Sequence, residues 1–204
     1  MRRCGFYLVA DSTYFVGAVA ALNSLRVLGH NEPAFVLDVG LSDAQRVALA
    51  QTAEIVSCPA DVKPRLAKWV APLGHPSDVM VLVDADMIVT RPLGPLLEDA
   101  ERGSVVVFAD DHPDRFDDRW SDFVGVGALR RRTYVNCGLV VLPPRLGLEV
   151  LLDLRALQTR LAHLGHTQIS GRRSLPPVLV SRSGLVERGP VGDRRRRRHE
   201  GLAA

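Results

Sequence analysis

Apolar positions in this chain fall into short unbroken runs separated by polar punctuation, the pattern of buried strands alternating with helices. Phe6-Tyr7-Leu8-Val9-Ala10 predicts a first strand, ending at Asp11-Ser12-Thr13. Ser12 or Thr13 is then placed to cap a helix over residues 15–28, which Gly29 closes. Pro33-Ala34-Phe35-Val36-Leu37-Asp38 predicts a second strand, and Ser42 caps a helix over residues 43–52 with Asp43 in its first turn. Glu54-Ile55-Val56-Ser57 predicts a third strand, and residues 64–70 a short helix. Next, Val79-Met80-Val81-Leu82-Val83 leads straight into Asp84-Ala85-Asp86 and on to Met87-Ile88-Val89. Without alternation, that run reads as a central strand buried on both faces. Side chains alternate along a strand, so Asp84 and Asp86 share one side wherever the extended form persists. A helix over residues 93–101, a strand over residues 104–109 and a β-rich run from Tyr134 through Asn136 to Leu142 follow. An amphipathic helix over residues 147–164 presents Leu148, Leu151, Leu152, Leu154 and Leu157. Past residue 166 no period is sustained, and Val178-Leu179-Val180 is the one further strand expected.

This order of elements predicts an α/β domain with a mostly parallel central sheet flanked by helices and joined by right-handed crossovers. Residues 1–165 form the domain, and residues 166–204 an Arg/Pro/Gly-rich tail expected to be largely disordered. A length of 204 residues with 47% apolar composition is enough for one real core. No run of eighteen apolar residues suggests a membrane span. The charged start is not a secretion signal, because Asp11 and Ser12 interrupt its apolar run. Cys4, Cys58 and Cys137 lack metal-site spacing and are odd in number, which points to reduced thiols and the cytoplasm. The pI of about 9.0 is set by the tail. Residues 172–204 hold nine arginines against three acids, while the whole chain is only +3, so the domain itself is slightly acidic. An arginine run without interleaved aromatics is a solvated end, and no nucleic-acid partner is expected.

The chemistry concentrates at Asp84-Ala85-Asp86, the only Asp-x-Asp in the chain. Open α/β sheets place their ligands at the carboxyl ends of such strands. Two carboxylates held there repel each other and lose hydration, so a positive charge belongs between them. Mg²⁺ or Mn²⁺, which prefer oxygen ligands, are the simplest choice. The alternative is that one aspartate caps a turn and the other is solvated.

Four segments in this order resemble the GT-A nucleotide-sugar glycosyltransferases, in particular glycosyltransferase family 8 and its bacterial relatives. They are Leu8-Val9-Ala10-Asp11-Ser12-Thr13-Tyr14, Lys68, the Asp84-Ala85-Asp86 strand with its apolar flanks, and Tyr134-Val135-Asn136-Cys137-Gly138 with the run behind it. Together they cover about residues 6–145. The resemblance implies a GT-A, Rossmann-like fold. It also implies transfer of a sugar, with retention of configuration, from a nucleotide-diphosphate donor, most often a UDP-hexose in that family, to an acceptor that the sequence does not name. It places nucleotide-sugar contacts at Ala10, Asp11, Tyr14, Lys68, Asp84, Ala85, Asp86 and Asn136, with the metal on Asp84 and Asp86. Asp11 would meet uracil or ribose, Tyr14 would stack on the base, Lys68 would add positive charge near the donor, and Asn136 would bond a sugar hydroxyl or the acceptor. Each has a plainer reading: Asp11 as a helix N-cap, Tyr14 as a half-buried aromatic, Lys68 as a solvated helix lysine, Asn136 as a satisfied amide. Cys137 is read as a small buried residue.

The resemblance has an edge. Family members continue with an acidic Asp-Gln-Asp-like segment and a later metal-binding histidine, and neither is found here. The C-terminal third is therefore expected to be divergent or truncated. The runner-up reading is a catalytically impaired pseudoenzyme or a non-catalytic nucleotide-sugar binder. A haloacid-dehalogenase-like phosphatase also has Asp-x-Asp after an apolar strand, but needs it at the first strand and a later lysine, and no lysine follows Lys68.

Overall fold

The structure, a computed structural model, describes residues 2–109, 135–163 and 185–187. Their strands are β1 (Arg2–Ala10), β2 (Ala34–Asp38), β3 (Glu54–Ser57), β4 (Ser77–Val83), β5 (Val105–Ala109), β6 (Val135–Leu142) and β7 (Leu185–Glu187). They form one sheet in the order β3-β2-β1-β4-β6-β5-β7. β1 through β4 run parallel, as their crossover helices require. β6 runs against both β4 and β5, and β7 is parallel to β5. Among the described strands β6 alone points the other way, so the sheet is mostly parallel, as expected.

The helices are α1 (Phe15–Val27), α2 (Asp43–Leu49), α3 (Val70–Gly74), α4 (Gly94–Glu101) and α5 (Leu146–His163), with a 3-10 helix at Pro64–Trp69. Ser42 caps α2 as expected, in a full capping box with Gln45. α2 ends three residues short of the predicted 52. Residues 64–70 are not one α-helix: Pro64 opens a 3-10 helix, and α3 takes over at Val70. β1 starts at Arg2 rather than Phe6, because β4 continues to pair with it through Arg2↔Ser77 and Cys4↔Val79. The expected strand at Val178-Leu179-Val180 lies outside the described residues.

The unbroken apolar runs are buried on both faces, as their lack of alternation implied. Phe6, Leu8, Val36, Val81 and Val141 pack with Leu22 and Leu25 of α1 on one face. Tyr7, Phe35, Leu37, Met80, Leu82 and Val140 pack with Ala71 of α3 and Leu151 of α5 on the other. Tyr7 stacks on Phe35 at 5.1 Å and donates its hydroxyl to the His75 carbonyl at 2.7 Å. This core holds β4 between β1 and β6, with its carboxyl end at one rim of the sheet. No described helix is long and apolar enough to cross a membrane.

Candidate functional site

β4 ends at Val83, so the two aspartates do not continue the strand. The condition for both carboxylates to share one side, an extended backbone through Asp86, is therefore not met. Met87 N donates to the Asp84 carbonyl at 3.1 Å, closing a turn over Asp84-Ala85-Asp86-Met87. The physical reason lies on α1. A Cβ on Gly17 would stand 2.3 Å from the Ala85 carbonyl oxygen and 3.4 Å from the Asp86 Cα. The chain after β4 therefore lies directly against the helix backbone and bends with it. Ser24 Oγ accepts from the Val89 amide at 3.0 Å, and buried His30 Nε2 from the Leu93 amide at 2.9 Å. Since Nε2 accepts, the His30 proton is assigned to Nδ1, which faces Glu32. These contacts tie the whole Asp84–Leu93 loop to α1 and its C-terminal end.

Asp84 is half-buried and Asp86 exposed, so the turn gives the two acids different surroundings. Lys68, at the end of the 3-10 helix, pairs its ammonium with Asp84 Oδ1 and donates to the Cys137 carbonyl of β6 at 2.8 Å. Both side chains of the pair are about three-quarters buried, so the plain reading of Lys68 as a solvated helix lysine fails. The Asp84 amide donates to the Gly138 carbonyl at 2.8 Å, extending the β4–β6 ladder by one step. That step brings Asn136 close. Its Oδ1 accepts from the Gly138 amide at 2.8 Å, which turns its NH₂ group, a pure donor, toward other partners. A Cβ on Gly138 would press within 3.0 Å of Asn136 Oδ1 and the Met87 sulfur, and lie 3.7 Å from Asp84 Oδ2. The site thus brings Lys68, Asp84, Ala85, Asp86 and Asn136 together at the rim.

The loops after β1 and β2 form a second part of the same rim. Ala10, at the end of β1, is buried, and its carbonyl accepts from Val39. Asp11 Oδ1 accepts from the amides of Thr13 and Tyr14, each at 2.9 Å. Asp11 therefore closes the turn that leads into α1, whose N-cap position is Tyr14, and the expected cap from Ser12 or Thr13 is not seen. Ser12 instead donates its hydroxyl to the Gly40 carbonyl at 2.7 Å. Tyr14 is 40% exposed and occupies the N-cap position without a side-chain capping bond, so it is not a core aromatic. Asp38 closes β2. Its Oδ1 takes the Gly40 and Leu41 amides and its Oδ2 the Arg46 guanidinium. Burial works against the Asp38 charge, but the Leu41 amide, Arg46 and the Gly40 amide hold its carboxyl below the usual carboxylate range.

Sequence reasoning missed Gly17, Ser24, His30 and Asp38 as residues that shape the site. Gly17 had a readable signal: a glycine inside a run of helix formers costs stability unless a neighbour needs the space. Asp38 had one in its Asp-x-Gly turn pattern, while Ser24 and His30 carry none, since their partners Val89 and Leu93 are distant in sequence.

Hard oxygen donors suit a hard divalent cation, and Mg²⁺ typically takes one or two carboxylates and completes its shell with water and phosphate oxygens. Asp84 and Asp86 fit that use. Among the described residues, no three His, Cys, Asp or Glu side chains gather as a ready cage.

No protein-family model matches the sequence, and no curated protein matches it either. Solved structures do. The galactosyltransferase LgtC, in complex with donor and acceptor sugar analogs, is 17% identical with a TM-score of 0.60, over 86% of this chain and 69% of that one. The bifunctional glycosyltransferase WbbM is 18% identical, TM-score 0.59, over 77% of this chain and 34% of that one. The glycosyltransferase GlyE of Streptococcus pneumoniae is 12% identical, TM-score 0.57, over 94% of this chain and 46% of that one. The chain thus spans about two thirds of LgtC and half or less of the other two. At these identities the likeness is one of fold, and that fold is GT-A, the fold of these glycosyltransferases.

Proposed function

We propose that the chain is a metal-dependent glycosyltransferase that moves a sugar, with retention, from a nucleotide-diphosphate donor, by family resemblance a UDP-hexose, to an acceptor not yet known. The observation that carries this is the convergence of Asp84, Lys68 and Asn136 at the carboxyl rim of the sheet, beside the Asp11–Tyr14 and Asp38–Gly40 loops. A divalent cation held by Asp84 and Asp86 supplies Lewis-acid stabilisation of the departing diphosphate. The Lys68 ammonium adds a charge-assisted donor for a phosphate oxygen. Asn136 presents its NH₂ group to a sugar hydroxyl, while Tyr14 offers an exposed ring to the base. Asp11, with Oδ1 engaged by the helix start, offers Oδ2 to the nucleoside. The domain is proposed to end at residue 165 apart from β7 (Leu185–Glu187), which pairs with β5 in the same sheet. None of the three cysteines is in a disulfide, which supports a reducing compartment, the cytoplasm.

A second reading, a nucleotide-sugar binder that no longer turns over, draws on the Lys68–Asp84 pair, which already neutralises one of the two acids. One titration series separates them. UDP binding is expected to require Mn²⁺, to reverse with EDTA and to disappear in the Asp84→Asn/Asp86→Asn variant. Absence of UDP binding at every Mn²⁺ concentration would overturn UDP as the donor and leave either a different nucleotide or a fold that has lost this chemistry. Release of UDP from UDP-hexoses then marks the enzyme, and binding without release marks the remnant.

A further inference from the structure

Lys68 and Asp84 come from separate segments, and the lysine reaches the aspartate from the 3-10 helix. The Cys137 carbonyl fixes the ammonium from a third segment, β6. Behind the lysine, Trp69 packs under the guanidinium of Arg155 on α5, at 5.3 Å from the ring centre. The 3-10 helix is thereby braced, and the ammonium is placed rather than trailing. Asp84 Oδ1 is engaged by a cation of this chain, and Oδ2 lies on the side of Gly138 and Met87.

A carboxylate in this state attracts a second cation poorly. An incoming divalent ion must share Oδ1 with the ammonium, at contact distance and in partly buried surroundings, or displace it. We infer that Lys68 is the resident counter-ion of Asp84 and competes with the divalent cation for it. The metal then loads well only once a nucleoside diphosphate offers the ammonium phosphate oxygens in exchange. This inference rests on the reading of Asp84 as a metal ligand. It adds an order to the site: metal and diphosphate bind cooperatively, and the metal alone binds weakly.

The test is Mn²⁺ titration of the full chain by calorimetry and water-proton relaxation, without and with UDP. Without UDP, Lys68→Met is expected to bind Mn²⁺ about tenfold more tightly than the unaltered protein, because a full positive charge has left the ligand. Lys68→Gln, which keeps a donor for the Cys137 carbonyl, is expected to show the same gain and guards against loss of the fold in Lys68→Met. Lys68→Arg keeps the charge and is expected to show no gain. Adding Asp84→Asn to Lys68→Met is expected to abolish it. UDP is expected to tighten Mn²⁺ binding more in the unaltered protein than in the two neutral variants. Mn²⁺ binding in the unaltered protein with no gain in a folded neutral variant would overturn the competition and leave the metal site standing. Mn²⁺ binding to none of these proteins, with or without UDP, would overturn the metal site itself and this inference with it.

Discussion

Asp11 closes the turn that leads into α1. Its Oδ1 takes two backbone amides at the start of α1, so replacing it by alanine leaves both amides to find water. Asp11→Ala is expected to cost about 1 kcal/mol in urea unfolding, whereas Asp11→Asn, which keeps the acceptor, costs a few tenths. Equal losses in the two variants would show that the acceptor for these two amides is not what Asp11 contributes. At this scale the sequence was most informative where polarity interrupts an apolar run. Asp84, Asp86 and Asn136 stand out for that reason. Lys68 did not announce its partner, because a lysine in a short amphipathic stretch looks the same whether it meets water or a carboxylate. Asp11, rather than Ser12 or Thr13, takes the amides at this turn because three neighbouring polar residues all satisfy the same composition rule, and backbone geometry chose among them.

Among the elements, α1 controls the site. Replacing a helix-interior glycine by alanine ordinarily stabilises by up to about 1 kcal/mol. At Gly17 the sign is expected to reverse, because the new methyl would stand 2.3 Å from the Ala85 carbonyl oxygen, a backbone atom. Gly17→Ala should melt at a lower temperature and bind UDP more weakly; a melt equal to or above that of the unaltered protein would show that the turn yields freely. The end of β4 was the least legible boundary. Met87-Ile88-Val89 prolong the apolar pattern past the acids, but Ile88 is 65% exposed and the residues belong to the loop laid on α1. Hydrophobic periodicity reports burial and not backbone direction, and a tight approach such as that at Gly17 is invisible to it. β3, with matching bounds, and the Ser42 cap were legible because their signals are local.

For the whole molecule, the four parallel strands followed from their alternation with helices, while the reversal of β6 and the place of β5 beyond it did not. Direction is set by the connections, and an apolar run reads alike in either sense. Stability of the assembled sheet also has a pH limit within it. Burial first, then Glu32 and Glu101, push the Cys4 thiol of β1 up to about 12 from 9.0. A group raised this way supports the fold fully below its unfolded value and less as pH climbs from there toward the folded one. The urea midpoint should therefore fall between about pH 9 and about pH 12, and fall less in Cys4→Ala. An identical fall in the two proteins would assign the alkaline loss to other groups. The tie between the acidic loop and α1 has one more consequence. Loops that recognise ligands commonly lose conformational freedom on binding, and affinity is diminished by that loss. Here Gly17, Ser24 and His30 have already fixed the backbone of residues 84–93 during folding. The carboxylates sit in a preorganised frame, and on the proposed function little ordering of that loop would remain for the binding step.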